Sequence, residues 1–346
     1  MTAIAERIRR VRGRASGRLH SLPILALVVH TACNCRCVMC DIWKANAAGR
    51  ELSDEALSGH VGAIRRMRVR RVMLTGGEPL LHSNLWSLCD RLRAEGISIT
   101  LVTTGLLAAR WARAIASRID TVVISLDGSP AIHDLVRRVP HGFDKLAAGV
   151  NALRAEAAAP RLIARSVLQR ANYKALAETI HTARRTGFDE ISFLAADVSS
   201  SAFNRATPWP DTRVADIAIP AAELPLLSAA IDETIARCNV ELTDGFVAGG
   251  IARLRRIYDY YAAIAGLVPY PRVRCNAPWV SAVLEPGGVL RPCFFQPAYA
   301  GSIDGDFESA LNGTEAVRFR NQLEVARNDT CRRCVCSLNL RPGADV

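Results

Sequence analysis

Residues 33–40 read CNCRCVMC, four cysteines in eight positions of a chain that has only 11. The apolar run Ile24–Val29 precedes them, so the thiols sit on a loop just past a predicted strand. With Cys35 set aside, Cys33, Cys37 and Cys40 form CxxxCxxC. Three thiolates on one loop can hold three corners of a cubane iron–sulfur cluster and leave one iron without a protein ligand. Zinc is the rival, and it would want a fourth donor, which Cys35 or His30 can supply. The spacing by itself leaves both open.

Outward from this loop, composition narrows the setting. At 346 residues the chain is long enough for one large domain and a smaller one. The first 18 residues carry Arg7, Arg9, Arg10, Arg12, Arg14 and Arg18 without an apolar stretch, so no secretory signal is expected. Leu22–Val29 falls well short of the ~20 residues of a membrane span. A cytoplasmic protein is expected, with no membrane association. There, clustered thiols point to metal or redox chemistry rather than disulfides. The net charge of +11 invites a nucleic-acid reading. The densest basic group, Arg65, Arg66, Arg68, Arg70 and Arg71, has no aromatic residues between its charges to stack bases. It reads as a solvated helix face, and no nucleic-acid partner is expected.

Strand-like runs recur at Ile24–Val29, Arg71–Thr75, Ser98–Thr103, Thr121–Leu126, Leu162–Leu168 and Glu190–Leu194. Helical periods separate them, at Ser53–Met67, Asn84–Glu95, Leu107–Ser117, Phe143–Glu156 and Tyr173–Thr186, and Glu223–Arg237 follows the last. Six βα repeats imply a parallel sheet with helices outside it. Six are too few for an ordinary closed eight-stranded barrel, so a partial, open barrel is expected. The stretch 195–222 breaks the rhythm with the Ser- and Pro-rich VSSSAFNRATPWPD, at the sheet end where βα loops carry sites. Past Asn239 short strands and Gly–Gly and Pro turns are expected to take over. The chain therefore divides into a basic extension over 1–21, the partial barrel over 22–239 and a small C-terminal α+β part over 240–346.

Further motifs fall after the strands in order. TGGEP (75–79) follows the second, VTTG (102–105) the third and SLDG (125–128) the fourth, with IHDLVR at 132–137. Glycines at a strand end let the backbone approach a ligand closely, and a carboxylate beside them can receive a positive group. Together with CNCRCVMCDIW these motifs resemble the radical S-adenosylmethionine (radical SAM) superfamily over about residues 22–195. The resemblance implies a partial (β/α)6 TIM-like barrel and a 4Fe–4S cluster on Cys33, Cys37 and Cys40. The open iron would chelate the methionine part of S-adenosylmethionine. Gly76, Gly77, Glu78 and Pro79 match the stretch that holds its amino group. Ser125 and Asp127 match ribose contacts, and Ser166, expected after strand five, is a further candidate. Met39 stands where an aromatic residue usually packs near adenine, and Thr104 replaces the usual Asn after strand three. Cys35, Cys89 and Cys238 are read as buried packing thiols.

The C-terminal part has its own thiols. Cys275 leads into APWVSAVLEPGGVLRPC, a hairpin pattern that ends at Cys293, and CRRC adds Cys331 and Cys334. Four thiolates leave no vacancy for a substrate, whether the metal is iron–sulfur or zinc. The spacing is similar to the auxiliary-cluster part of radical SAM enzymes, in the shorter "twitch" version of the SPASM domain. Cys336 can stand in for Cys334.

The resemblance implies an enzyme, a radical SAM oxidoreductase or tailoring enzyme with two 4Fe–4S clusters. It would cleave S-adenosylmethionine reductively and abstract hydrogen from a substrate C–H bond. An external one-electron donor such as flavodoxin or ferredoxin would be its partner. The short stretch before the first strand favours a small molecule, such as a sugar or aminocyclitol, over a ribosomally made peptide to be crosslinked or epimerised. A non-catalytic metal-binding protein is the alternative of another class.

Overall fold

The computed structural model describes residues 3–299 and 306–341. The fold is mixed α/β. Its eight strands are β1 (Ile24–His30), β2 (Arg71–Gly76), β3 (Ser98–Thr103), β4 (Thr121–Ser125), β5 (Arg161–Leu168), β6 (Glu190–Ala195), β7 (Ser281–Glu285) and β8 (Val289–Arg291). They form an open, mostly parallel sheet in the order β6-β5-β4-β3-β2-β1-β7-β8, with β7 and β8 paired antiparallel. The first six strands lie where the apolar runs predict them, to within a residue at either end.

By compactness the chain divides into two units along lines other than the sequence division. One holds the residues through Cys33, Ala45–Leu101 and the chain from Val273 on. In it β1 lies between β2 and β7, with Leu25 opposite Val72 on one side and Ala282 on the other. Leu25, Leu27, Val72, Leu74, Ala282 and Leu284 are buried and share one face of the sheet, and on the other face of β1 Ala26 is buried between the half-buried Ile24 and Val28. Each fully buried leucine there contributes about 1.5–3 kcal/mol. The helix Asp54–Arg66 covers part of this unit. Ser53 caps it by accepting from the Ala56 N–H, acidic residues open it and Arg65 and Arg66 close it, as its dipole favours. Within the same unit the basic N-terminal helix Ala3–Ser16 lies against the helix Thr314–Gln322, whose buried Arg320 donates to the carbonyls of Gly17 and Leu311.

The second unit holds residues 34–44 and 102–272. Strands β4, β5 and β6 pair in register, Ser125 with Arg165 and Arg165 with Ser192. Alternation gives this sheet two unlike faces. Val122, Ile124, Leu162, Ala164, Ser166, Leu168, Ile191 and Phe193 share one face, each at most 1% exposed. Ser125, Arg165 and Ser192 share the other, which is only half-buried. The helices Leu176–Thr186 and Gly250–Ile264 pack on β6.

Three expectations need correction. The segment Leu107–Ser117 contracts to the short helix Ala112–Ala116. Pro130–Arg137, read only as part of a motif, is a helix with Pro at its first turn. Past Asn239 the chain does not turn to short strands at once. Gly249 and Gly250 both take positive φ and launch the helix Gly250–Ile264, which buries Leu254, Ile257 and Tyr261 at helical spacing. Asp211–Arg237 is apolar enough by composition to cross a membrane, but it is split into Asp211–Ile217 and Leu224–Arg237, and Leu224, Leu227 and Ile231 are buried.

Candidate functional site

In the first unit the glycine motif is stitched to the start of the cysteine loop. Gly77 N–H donates to the His30 carbonyl at 2.8 Å, and Glu78 N–H to that of Ala32 at 2.9 Å. A Cβ added to Gly76 would lie 2.1 Å from the His30 oxygen, and one on Gly77 2.1 Å from that of Ala32. Only glycine fits either place, and Gly76 also has φ +143°. Glu78 is fully buried, and one of its oxygens accepts from the Leu80 N–H, capping the short helix Pro79–Leu81. Cys33 is fixed from its other side by Asn46, whose amide accepts from the Cys33 N–H and donates to the Cys33 carbonyl.

In the second unit the rest of the loop hangs on the helix Pro130–Arg137. A helix end leaves carbonyls without partners. Here the Val38 N–H takes the Val136 carbonyl at 3.0 Å, and the Arg36 N–H takes that of Arg137 at 3.2 Å. Thr104 Oγ1 donates to Asn34 Oδ1 at 3.1 Å, so the departure from Asn at this position still pins the loop. Arg137 reaches back between Asp127 and the loop. Its Nε donates to Asp127 Oδ2 at 2.6 Å, and its Nη1 lies 3.5 Å from Cys37 Sγ. Cys37 is buried with a thiol lowered to about 6, chiefly by a hydrogen bond from Cys35 and further by the Arg137 charge, against the cost of burial. Cys35 therefore packs, as expected, and also donates to its neighbour. Burial opposes the charge on Arg137, but Asp127 and Cys37 outweigh it and raise the guanidinium's pKa. Met39 is buried, and the Ile42 N–H points at Cys40 Sγ at 3.5 Å.

The sheet face separates the remaining candidates. Ser125 lies at the end of β4 on the half-buried face with Arg165, whose Nε donates to Ser192 Oγ at 3.2 Å. Ser166 lies inside β5, not after it, because β5 runs on to Leu168. Register puts it on the opposite, apolar face, where its hydroxyl has no hydrogen-bond partner. Asp127 is fully buried with both carboxylate oxygens engaged, Oδ2 by Arg137 and Oδ1 by the Val167 N–H at 2.9 Å. It holds the loop's supporting helix in place. His133 is kept neutral by burial and the Arg137 charge, which lower its pKa to about 4.

The Ser- and Pro-rich stretch is a built loop. Arg205 is buried against Asp197 at 2.9 Å and stacks over the Trp209 ring at 3.9 Å. Trp209 Nε1 donates to Asp41 Oδ2 at 2.7 Å, Asn204 to the Asp41 carbonyl, and Arg213 to that of Val38. This loop thus closes onto residues 38–41, beside Cys40.

Within the first unit Cys293 lies in electrostatic range of Cys331 and Cys275, and Cys334 in that of Cys336, Cys293 and Cys275. Burial pushes Cys293 up to about 11 and raises Cys331 and Cys334 as well. Gln296 Nε2 donates to Cys331 Sγ at 3.3 Å, and Asn328 caps the turn that carries Cys331. Cys336 is the exposed member. Because Ser281 pairs with Ile24 and Val283 with Arg291, the open end of the hairpin lies level with the start of β1, opposite the end that leads to Cys33.

Sequence reasoning missed Arg137, Arg165, Ser192 and Asn46. A Ser–Pro start at 129–130 was a signal for the helix that carries Arg137. The others depend on pairing and register.

Residues 27–183 match the radical SAM superfamily, and residues 275–335 match an iron–sulfur cluster-binding domain, SPASM. The mycofactocin maturase MftC of Mycolicibacterium smegmatis is 36% identical over 112 residues, 31% of this chain and 28% of that protein. The GTP 3′,8-cyclase of Xanthomonas campestris pv. campestris is 36% identical over 157 residues, 42% of this chain and 46% of that protein. The matched segments thus span under half of these relatives' own length. Among solved structures, Streptococcus suis SuiB bound to the precursor peptide SuiA has a similar fold, with a TM-score of 0.62 at 14% identity, over 95% of this chain and 74% of that one.

Proposed function

The chain carries a radical SAM domain followed by a SPASM iron–sulfur cluster-binding domain, and from that premise we propose that Cys33, Cys37 and Cys40 hold the first cluster of an enzyme that abstracts hydrogen from a C–H bond of a small molecule. The radical SAM domain implies S-adenosylmethionine and a 4Fe–4S cluster, and the SPASM domain implies an auxiliary iron–sulfur cluster. The residues fit these groups. Soft thiolates suit iron–sulfur chemistry, and Cys37 is held as one near neutral pH. The glycine pair leaves no room for a side chain against His30 and Ala32, so bare backbone is presented there. That stitching of the glycine motif to the cysteine loop is the observation that carries the reading.

When bound, the cluster and S-adenosylmethionine supply a 5′-deoxyadenosyl radical for hydrogen abstraction. The chain's own part is to hold and shield. Gly76, Gly77, Glu78 and Pro79 would hold the amino group of S-adenosylmethionine, Ser125 its ribose, and Met39 would pack near its adenine. Asp127 acts through Arg137, as a positioning residue. Ser166 faces away and is not assigned a contact. Cys275, Cys293, Cys331 and Cys334 would hold the auxiliary cluster. The loop 197–213 would exclude water, and its rigid docking on Asp41 and Val38 favours a compact substrate. A second reading, a peptide substrate, draws on SuiB, crystallised with its precursor peptide over a fold that spans nearly the whole of this chain. The GTP 3′,8-cyclase relative leans toward the small molecule.

The test uses cluster-loaded protein with a reductant. Wild-type protein is expected to form 5′-deoxyadenosine from S-adenosylmethionine. Glu78→Gln keeps the iron but weakens S-adenosylmethionine binding about tenfold or more, as loss of a charged hydrogen bond implies. Unchanged affinity would reduce the motif to a turn. Stimulation of 5′-deoxyadenosine formation by the low-mass fraction of a host-cell extract supports the first reading, and stimulation by the peptide fraction alone replaces it with the second.

A further inference from the structure

We propose that His181, Cys238 and Glu241 form a zinc site on the outer helices of the second unit, separate from both sets of thiols above. His181 lies on the helix Leu176–Thr186, Cys238 at the elbow between Leu224–Arg237 and Asn239–Thr243, and Glu241 on the latter helix. Their donor atoms all lie within 4.8 Å of one another. Cys238 Sγ is 3.4 Å from His181 Nε2. Tetrahedral zinc, with bonds of about 2.3 Å to sulfur and about 2.0–2.1 Å to nitrogen, would set those two atoms about 3.5 Å apart. The pair already stands at that spacing.

The plainer account is a thiol–imidazole hydrogen bond inside a helix junction. It explains two of the three groups and leaves the carboxylate unaccounted for. Cys238 is fully buried, yet Glu241, Glu178 and Glu233 all act on it. Glu178 is paired with Arg185 and Glu233 with Arg237. Among the described residues the Glu241 carboxylate has no ion-pair or hydrogen-bond partner, so the junction carries an acidic charge that a cation would neutralise. One sulfur, one imidazole nitrogen and one carboxylate make a mixed donor set that suits borderline-soft zinc and does not suit magnesium or calcium. His181 and Glu241 are half-exposed, which gives the ion a way in from solvent and leaves a fourth position for water. The ion would pin Leu176–Thr186 to the elbow of the two following helices, as a clip on the layer that covers β6.

The test uses fully cluster-loaded protein, exposed anaerobically to zinc and freed of excess by gel filtration. About one zinc per chain is expected, with a zinc-edge X-ray absorption spectrum of one sulfur and otherwise nitrogen and oxygen neighbours. Zinc is expected to raise the thermal midpoint of unfolding. Both effects should weaken at least tenfold in zinc affinity in His181→Ala and in Glu241→Gln, with iron content unchanged. Glu241→Gln is half-exposed and keeps the shape of the side chain, so it carries the test if His181→Ala does not fold. No retained zinc, zinc bound equally by both variants, or zinc held by three or more sulfurs would each overturn the site.

Discussion

Cys37 is a buried thiol and Cys293 a half-buried one, both on cysteine patterns of metal-binding type, and the fold drives them in opposite directions. Cys37 is drawn down to about 6 by the Cys35 thiol and the Arg137 guanidinium, against burial. Cys293 is pushed up to about 11 by burial, with the Cys331 and Cys275 thiols adding to it against the backbone donors of Phe295 and Gln296. Near the C-terminal thiols the neutral amide of Gln296 donates to the Cys331 sulfur. The difference matches the number of protein ligands proposed at each place. A four-thiol site would receive its compensating charge from the metal itself. A three-thiol loop with an iron position left open would gain from charge built into the protein.

The largest effect expected is at the three-thiol loop. Cys33, Cys37 and Cys40 changed together to Ala should reduce reconstituted iron from about eight to about four per chain and abolish S-adenosylmethionine cleavage. Cys275 and Cys293 changed together should also leave about four irons but retain cleavage. If both variants lose cleavage, the two sites are not separable in the way argued. Next is the charge between them and their surroundings. Arg137→Ala strands the fully buried Asp127, and breaking such a pair costs about 3–5 kcal/mol. Denaturant unfolding of the cluster-free protein reads this loss. Gln296→Ala, its counterpart at the second site, should cost only about 1 kcal/mol. Equal losses would erase the electrostatic contrast.

A titration sharpens the comparison without mutation. In the cluster-free protein Cys37 has a folded pKa of about 6, below the ordinary thiol value of 9.0. Its contribution to stability is full above pH 9 and is lost as pH falls through 6. Cys293, raised to about 11, works the other way. Its contribution to stability is full below pH 9 and is lost as pH rises from 9 through 11. Ultraviolet thiolate absorbance should therefore show a step near pH 6 that Cys37→Ser removes, and none from Cys293 until near pH 11. The smallest effect is expected at Cys336. This exposed thiol can be changed to Ser with the auxiliary iron intact, whereas Cys334→Ser should lose it.

Much of the barrel was legible because β1 to β6 are apolar runs separated by helical periods. The cysteine spacing and TGGEP were legible because they are local. What escaped was anything fixed by pairing. The face on which Ser166 falls depends on Ser125 meeting Arg165, and a slip of one residue would reverse it. The role of Asp127 depends on Arg137, ten residues away along a helix that opens only with Ser129–Pro130. That Gly76 and Gly77 press against the His30 and Ala32 carbonyls depends on the pairing of β2 with β1. The turn to Gly250–Ile264 was hidden behind a glycine pair that looks like a loop and in fact starts a helix.

The place of β7 beside β1 bears on how the chain comes to be built. Ile24 to Leu27 lie against Ser281 to Leu284, so one edge of the strand that leads to Cys33 is completed by residues made long after it. Until then β1 has an open, apolar edge, and such edges recruit other chains. Contacts so distant along the sequence form slowly, since the loop between them must be ordered first. A nascent chain with β1 and β2 already paired would therefore wait, exposed, for its hairpin, and a fragment cut before Ser281 would keep that edge for good and tend to aggregate. The hairpin that carries Cys293 thus serves the newborn chain as a closing edge as well as the finished protein as a thiol scaffold.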